Sequence, residues 1–152
     1  MKYRFSQARQ IADRLTREAT QAIAASIAGD IGDDELRVVL FNPLAQPVDE
    51  TTEITLQIPL HWPHFNEFFG YEPKPAFRIF DAAGNELPYQ RLQQTTNRRK
   101  LRIHTTKFPE AYRTHDVSVS VPVNLPALGY TTLTVRAEPS GRATRYPATP
   151  SL

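Results

Sequence analysis

Val117-Ser118-Val119-Ser120-Val121-Pro122-Val123-Asn124-Leu125-Pro126-Ala127-Leu128-Gly129-Tyr130 decides the fold. Val117, Val119, Val121 and Val123 fall at every second position, the period of a strand with one buried face. Pro126 to Gly129 then reads as a sharp turn, with Gly129 expected to take a positive φ. Tyr130 to Val135 reads as the last strand, carrying Leu133 and Val135. The ring of Tyr130 is expected to pack and its hydroxyl to bond backbone, as in a tyrosine corner.

Outward from this stretch the period of two persists back to Leu36. Leu36 to Phe41 is nearly all apolar and reads as a central strand covered on both faces. It runs into Phe41-Asn42-Pro43. Pro43 cannot donate to a ladder and forces Asn42 out of the helical region, so the Asn42 amide is expected to cap the turn. Ile54, Leu56 and Ile58 alternate within Thr52 to Ile58. Ala76 to Asp81 carries Phe77 and Ile79 on one face. Asp81-Ala82-Ala83-Gly84-Asn85 is a turn that needs Gly84, returning into Glu86 to Leu92. A further strand is expected over Arg99 to Thr106, marked by Leu101 and Ile103. These signals predict a mainly β fold, an antiparallel β-sandwich of about seven strands.

Residues 3 to 28 carry the other period. Phe5, Ala8, Ala12, Leu15, Ala19, Ala22 and Ile23 recur at steps of three and four, which predicts one amphipathic N-terminal helix ended by Gly29. Its alanine-rich stripe suits close packing against other helices, and the chain contains no second one. The expected organisation is a helix from a helical bundle over 1–30, a β-sandwich over 31–137 and an extended or disordered tail over 138–152.

Composition narrows the function classes. A formal charge of +2 gives no general nucleic-acid footprint. Apolar runs fall short of the roughly 20 residues of a membrane span. The absence of cysteine excludes disulfides, thiolate metal sites and cysteine catalysis. That absence, with no leader visible at the N-terminus, favours the cytoplasm. Nucleic acid and membrane are therefore not expected as partners.

Candidate chemistry is sparse. Arg98-Arg99-Lys100 reads as a solvated turn or an anion grip. The acids sit in turns or at outward strand positions, without the carboxylate pair that glycoside hydrolysis requires. His61 and His64 are three apart, but Pro63 lies between them and no carboxylate follows at a matching step, so no metal site is expected. The loop His61 to Tyr71 holds Trp62, Phe65, Phe68, Phe69 and Tyr71. Three readings stand for these aromatics: rings folded over an open end of the sandwich, an interface with a neighbouring domain, or a glycan-stacking surface.

Val38 to Leu44 and Val123 to Tyr130 resemble the start and end of the small β domain in α-mannosidases of glycoside hydrolase family 38. Phe77 to Gln90 is similar to that family's hairpin, with Asp81, Gly84, Pro88 and Gln90 in order. The helix is similar to the end of the family's helical bundle, so the resemblance spans roughly residues 3 to 136. The chain departs from the family at Gln46 and over His61 to Pro75. The resemblance implies a non-catalytic domain that supports the catalytic barrel and links domains. It implies a parent that cleaves α-mannosidic bonds in glycans and binds zinc or another divalent metal. The metal ligands and nucleophile lie upstream of this region, so no catalytic or metal residue and no cofactor is expected here. The implied partners are the remaining domains of the parent and, through it, mannose-containing glycans. The alternative is a free-standing carbohydrate-binding or protein-interaction module.

Overall fold

The computed structural model describes residues 2–27, 29–66, 72–103 and 107–140. The chain divides into two compact units, Met1–Ile31 and Gly32–Leu152.

In the first unit, α1 spans Lys2–Ser26. Gly29, at φ 117°, takes the left-handed backbone expected of a residue past a helix end. Arg14 and Glu18 pair one turn apart at 2.7 Å. Taken by itself, a single helix has nothing to bury its apolar stripe against, and Phe5, Leu15 and Ile23 are exposed.

The second unit is the antiparallel sandwich. Its strands are β1 (Glu35–Phe41), β2 (Val48–Pro59), β3 (His64–Phe65), β4 (Lys74–Pro75), β5 (Phe77–Phe80), β6 (Glu86–Leu87), β7 (Gln90–Arg102), β8 (Glu110–Leu125) and β9 (Tyr130–Ala137). One sheet has the order β1-β9-β5-β6 and the other β2-β8-β7, while β3 and β4 form a small hairpin. Ile54, Leu56 and Ile58 of β2 and Val117 to Leu125 of β8 face Phe77 and Ile79 of β5 and Leu133 and Val135 of β9 in one core. Each such side chain, fully buried, contributes about 1.5–3 kcal/mol. Pro122 lies beyond Ser120, the last β8 residue paired with β7, and stands opposite Thr51 of β2.

The chain changes sheet between β1 and β2 at residues 42–47 and between β8 and β9 at residues 126–129, and these two arches are joined. Asn42 is buried. Its Nδ2 donates to Gln46 O and Pro126 O, both at 2.9 Å, and its Oδ1 accepts from Leu44 N at 2.9 Å. Backbone bonds from Asn42 N to Gly129 O and from Leu128 N to Leu44 O, each 2.8 Å, complete the junction. The departure at Gln46 matters little here, because that residue gives the junction its carbonyl.

Several expectations are corrected. Among the described residues β1 is an edge strand, with β9 as its one neighbour in the sheet. The expected strands Glu86 to Leu92 and Arg99 to Thr106 are redistributed. Pro88 interrupts the first of them, and the chain then runs as β7 through a polar stretch that the apolar alternation could not mark. Arg98-Arg99-Lys100 is therefore in a strand, not a turn. A bulge with Asn97 at φ 53° lets β7 keep pairing with β8.

At the β8–β9 turn the left-handed residue is Leu128, at φ 47°, not Gly129. Gly129 is required for space: a Cβ there would stand 2.7 Å from Pro126 Cγ. Tyr130 is 46% exposed, with its ring against Phe41 at 5.9 Å. The tyrosine-to-backbone bond is made by Tyr89, whose hydroxyl donates to Phe77 O at 2.7 Å. Gly84, at φ 86°, does occupy the turn that needs it. Asp81 Oδ1 organises that turn by accepting from Ala83 N and Asn85 N.

Gly129→Ala is expected to destabilise by about 1–3 kcal/mol through overpacking against Pro126. Urea unfolding of Gly129→Ala and of the double variant with Pro126→Ala checks this. Recovery in the double variant marks a steric cause, and no recovery marks a backbone one.

Candidate functional site

The aromatic loop begins where β2 ends. Trp62 N donates to Pro59 O at 3.3 Å, and Ala76 N donates to Pro63 O at 2.7 Å. These bonds and the β3–β4 pairing turn residues 61–66 back over the sandwich. Trp62 is 1% exposed and belongs to the core. A glycan-stacking or partner-facing role for Trp62 is corrected accordingly, since a ring with no free face can meet neither. Phe65 is half-buried. Phe68, Phe69 and Tyr71 lie outside the described residues.

Beside Phe65, the guanidinium of Arg91 lies over three rings: Phe77 at 4.4 Å, Phe65 at 5.3 Å and Tyr89 at 5.9 Å. Phe77 and Tyr89 stack at 5.0 Å. Arg91 also donates to Pro75 O, and Gln94 donates to Pro73 O at 3.1 Å. Arg91 Nε and Nη1, Gln94 Oε1 and Trp62 Nε1 are buried without hydrogen-bond partners. For Arg91 the ring faces supply part of the missing stabilisation. Trp62 Nε1 is a plain desolvation cost.

His64 meets His115 rather than His61. The two Nε2 atoms are 3.3 Å apart, and Asn97 N donates to His115 Nδ1 at 3.3 Å. That backbone N–H leaves Nδ1 of neutral His115 without a proton, so Nε2–H donates to His64 Nε2. A metal needs both Nε2 atoms bare, and this arrangement puts a proton between them. Nor is there a group of three His, Cys, Asp or Glu side chains suited to a metal among the described residues. His64 and His115, so arranged, do not form a metal-binding pair. Burial, and secondly the neighbouring His64, hold His115 below the ordinary histidine range. Sequence reasoning missed His115, although it falls on the inward register of Val117 and Val119.

Three carboxylates are equally committed. Asp116, 6% exposed, is met by Lys100 Nζ at 2.7 Å, Arg98 Nη1 at 3.0 Å and Thr114 Oγ1 at 3.0 Å. Burial pushes its pKa up, but the bonds from Lys100 and Thr114 and the two cations outweigh burial, and the net shift is downward. Glu86 and Glu138 are brought together on either side of Arg78. A guanidinium between two carboxylates removes both from acid–base work.

No protein-family model matches the chain. No curated protein matches it either. Among solved structures it is similar to an alpha-mannosidase from Enterococcus faecalis V583, at 17% identity and a TM-score of 0.70. The match covers 91% of this chain and 16% of that one, so the chain spans about a sixth of the length of the enzyme it resembles. At this identity the likeness is one of fold.

Trp62→Ala is expected to cost about 3–5 kcal/mol. Trp62→Phe is expected to cost less, since it also removes the orphaned N–H; chemical denaturation of both variants measures the difference. His115 titrates lower when folded than when unfolded. Its contribution to stability is therefore full above the ordinary histidine pKa of about 6.5 and is lost as pH falls below it. Unfolding free energy followed by Trp62 fluorescence from pH 8 to 5 should fall in this window and flatten in His115→Leu. Asp116 and Glu138, with depressed pKa values, lose their contributions only as pH falls below about 4.

Proposed function

We propose that this chain is a non-catalytic β-sandwich segment, with its leading helix, of an α-mannosidase-like glycoside hydrolase. In this reading it supports the catalytic barrel and links the helical bundle to later β domains. The observation that carries the reading is the extent of the fold match. Residues from Gly32 onward make up about four fifths of the chain, so a match over 91% takes in helical residues as well. A free-standing binding module has no use for such a helix. An alanine-rich apolar stripe without a partner in its own unit is what a helix from a bundle would carry. Asp116, Glu86, Glu138, His64 and His115 support a structural role too, since each is engaged in an ion pair or a hydrogen bond. The metal and the carboxylates for hydrolysis would come from the rest of such an enzyme, as would contact with mannose-containing glycans.

The test is hydrolysis of an aryl α-mannoside by the purified chain, with and without added zinc, beside calorimetric titration with mannose oligosaccharides. Neither turnover nor saturable binding is expected. Zinc-dependent turnover would overturn the non-catalytic assignment. Saturable oligosaccharide binding would favour a carbohydrate-binding module.

A further inference from the structure

The two ends of the sandwich carry complementary features. At one end β7 and β8 run on as a two-stranded ribbon, since β2 leaves β8 at Thr114, opposite Pro59, and β7 continues to Arg102, opposite Glu110. At the other end β1, the arch at residues 42–47 and β2 enclose an open groove of about 370 Å³. We propose that this groove receives the β7–β8 ribbon of a second copy of this chain, with Leu101 entering the apolar lining and the Arg99–Arg113 pair meeting Glu50. This association does not depend on the mannosidase reading.

One face of the ribbon continues the inward register of Val117 and His115. On it Arg99 stands opposite Arg113, and Leu101 opposite Ala111. All four are exposed, Leu101 at 58%, and Ile103 just past β7 is 79% exposed. A two-stranded ribbon is marginal in water unless something packs on it. Arg99 and Arg113 add to that cost, because like charges directly opposite destabilise a ladder. Asp116 takes up Arg98 and Lys100, but among the described residues neither Arg99 nor Arg113 has a carboxylate in ion-pair reach.

The groove is the counterpart of that face. Leu40, Phe41, Leu44, Val48 and Leu125 give it an apolar lining, and Glu50 is its one charged residue. Glu50 falls in the inward register of Ile54 and Leu56, at an exposed end of β2, without a cation in ion-pair reach among the described residues. A carboxylate so placed selects an occupant that brings an apolar side chain and a guanidinium together, as the ribbon does. The ion pair gains charge-assisted hydrogen bonds, bidentate for arginine, and offsets the repulsion between Arg99 and Arg113. The ribbon cannot fill the groove of its own molecule. Glu50 stands opposite Val123, ten residues along β8 from Arg113, or roughly 34 Å. The contact joins two different surfaces, so its repetition head to tail builds rings or open chains rather than a two-fold dimer.

A contact of this size is weak and salt-sensitive. The test is therefore sedimentation of the whole chain at low salt and rising concentration, where species larger than a dimer should form. Arg113→Glu and Glu50→Arg should each lower the association constant by about tenfold. Arg113→Glu should not lower Tm, since it turns the like-charge pair with Arg99 into an opposite one. The double variant, with both charges reversed, should recover most of the association. The two positions are too far apart in one molecule to interact, so recovery reports a contact between molecules. A chain that stays monomeric at millimolar concentration would overturn the proposal. So would a double variant no better than the singles. Association that both single variants retain in full would place the contact elsewhere, on the helix stripe or the β1 edge, and would overturn it too.

Discussion

The sandwich depends on one buried amide. The chain changes sheet at residues 42–47 and again at 126–129, and the Asn42 side chain holds these arches together through Pro126 O, Gln46 O and Leu44 N. Each group would otherwise be a backbone donor or acceptor desolvated at the mouth of an apolar core. Both arches carry prolines, which cannot donate, so a side chain has to complete the junction. An aspartate in the same place would lack the two N–H donors that the carbonyls need. Gly129 and Leu128 follow from the same constraint. The turn must lie flat against Pro126 and aim Leu128 N at Leu44 O, and it does so with a non-glycine residue in left-handed backbone.

The sequence announced the parts of the fold that obey a period. The alternating valines of β8, the Ile-Leu-Ile face of β2 and the Asp81–Asn85 turn are where the residues place them. β7 was illegible because Gln93 to Lys100 has no apolar alternation. Its pairing is fixed from outside, by the edge that β8 presents and by a bulge that resets the register at Asn97. Trp62 was ambiguous for a related reason. A tryptophan in a loop packs or projects according to what lies beneath it, and here β3 and β4 fold it inward. Gly129 serves space rather than the torsion that its sequence context suggests, and local sequence does not separate those causes.

At the end of the sandwich near β3, polar side chains replace the valines of β8. His115 continues the inward register and Asp116 the outward one, and each is held by neighbours that satisfy it: Asn97 and His64 for the first, Lys100, Arg98 and Thr114 for the second. Such networks add little to net stability once desolvation is counted. They do fix one register for the β7–β8 ribbon, because slipping it would strand each charge.

The pairing order bears on how the chain is made. β1 joins only β9, and about 90 residues separate the two in sequence. A ribosome adding roughly 5–20 residues per second leaves Glu35–Phe41 waiting for its partner for about 5–20 s. For that interval a seven-residue segment with five apolar side chains has open backbone groups and no native strand to meet. β2 waits for β8 across about 50 residues. The sandwich therefore closes late and from the inside outward in sequence, and its folding is vulnerable to strand pairing between nascent chains.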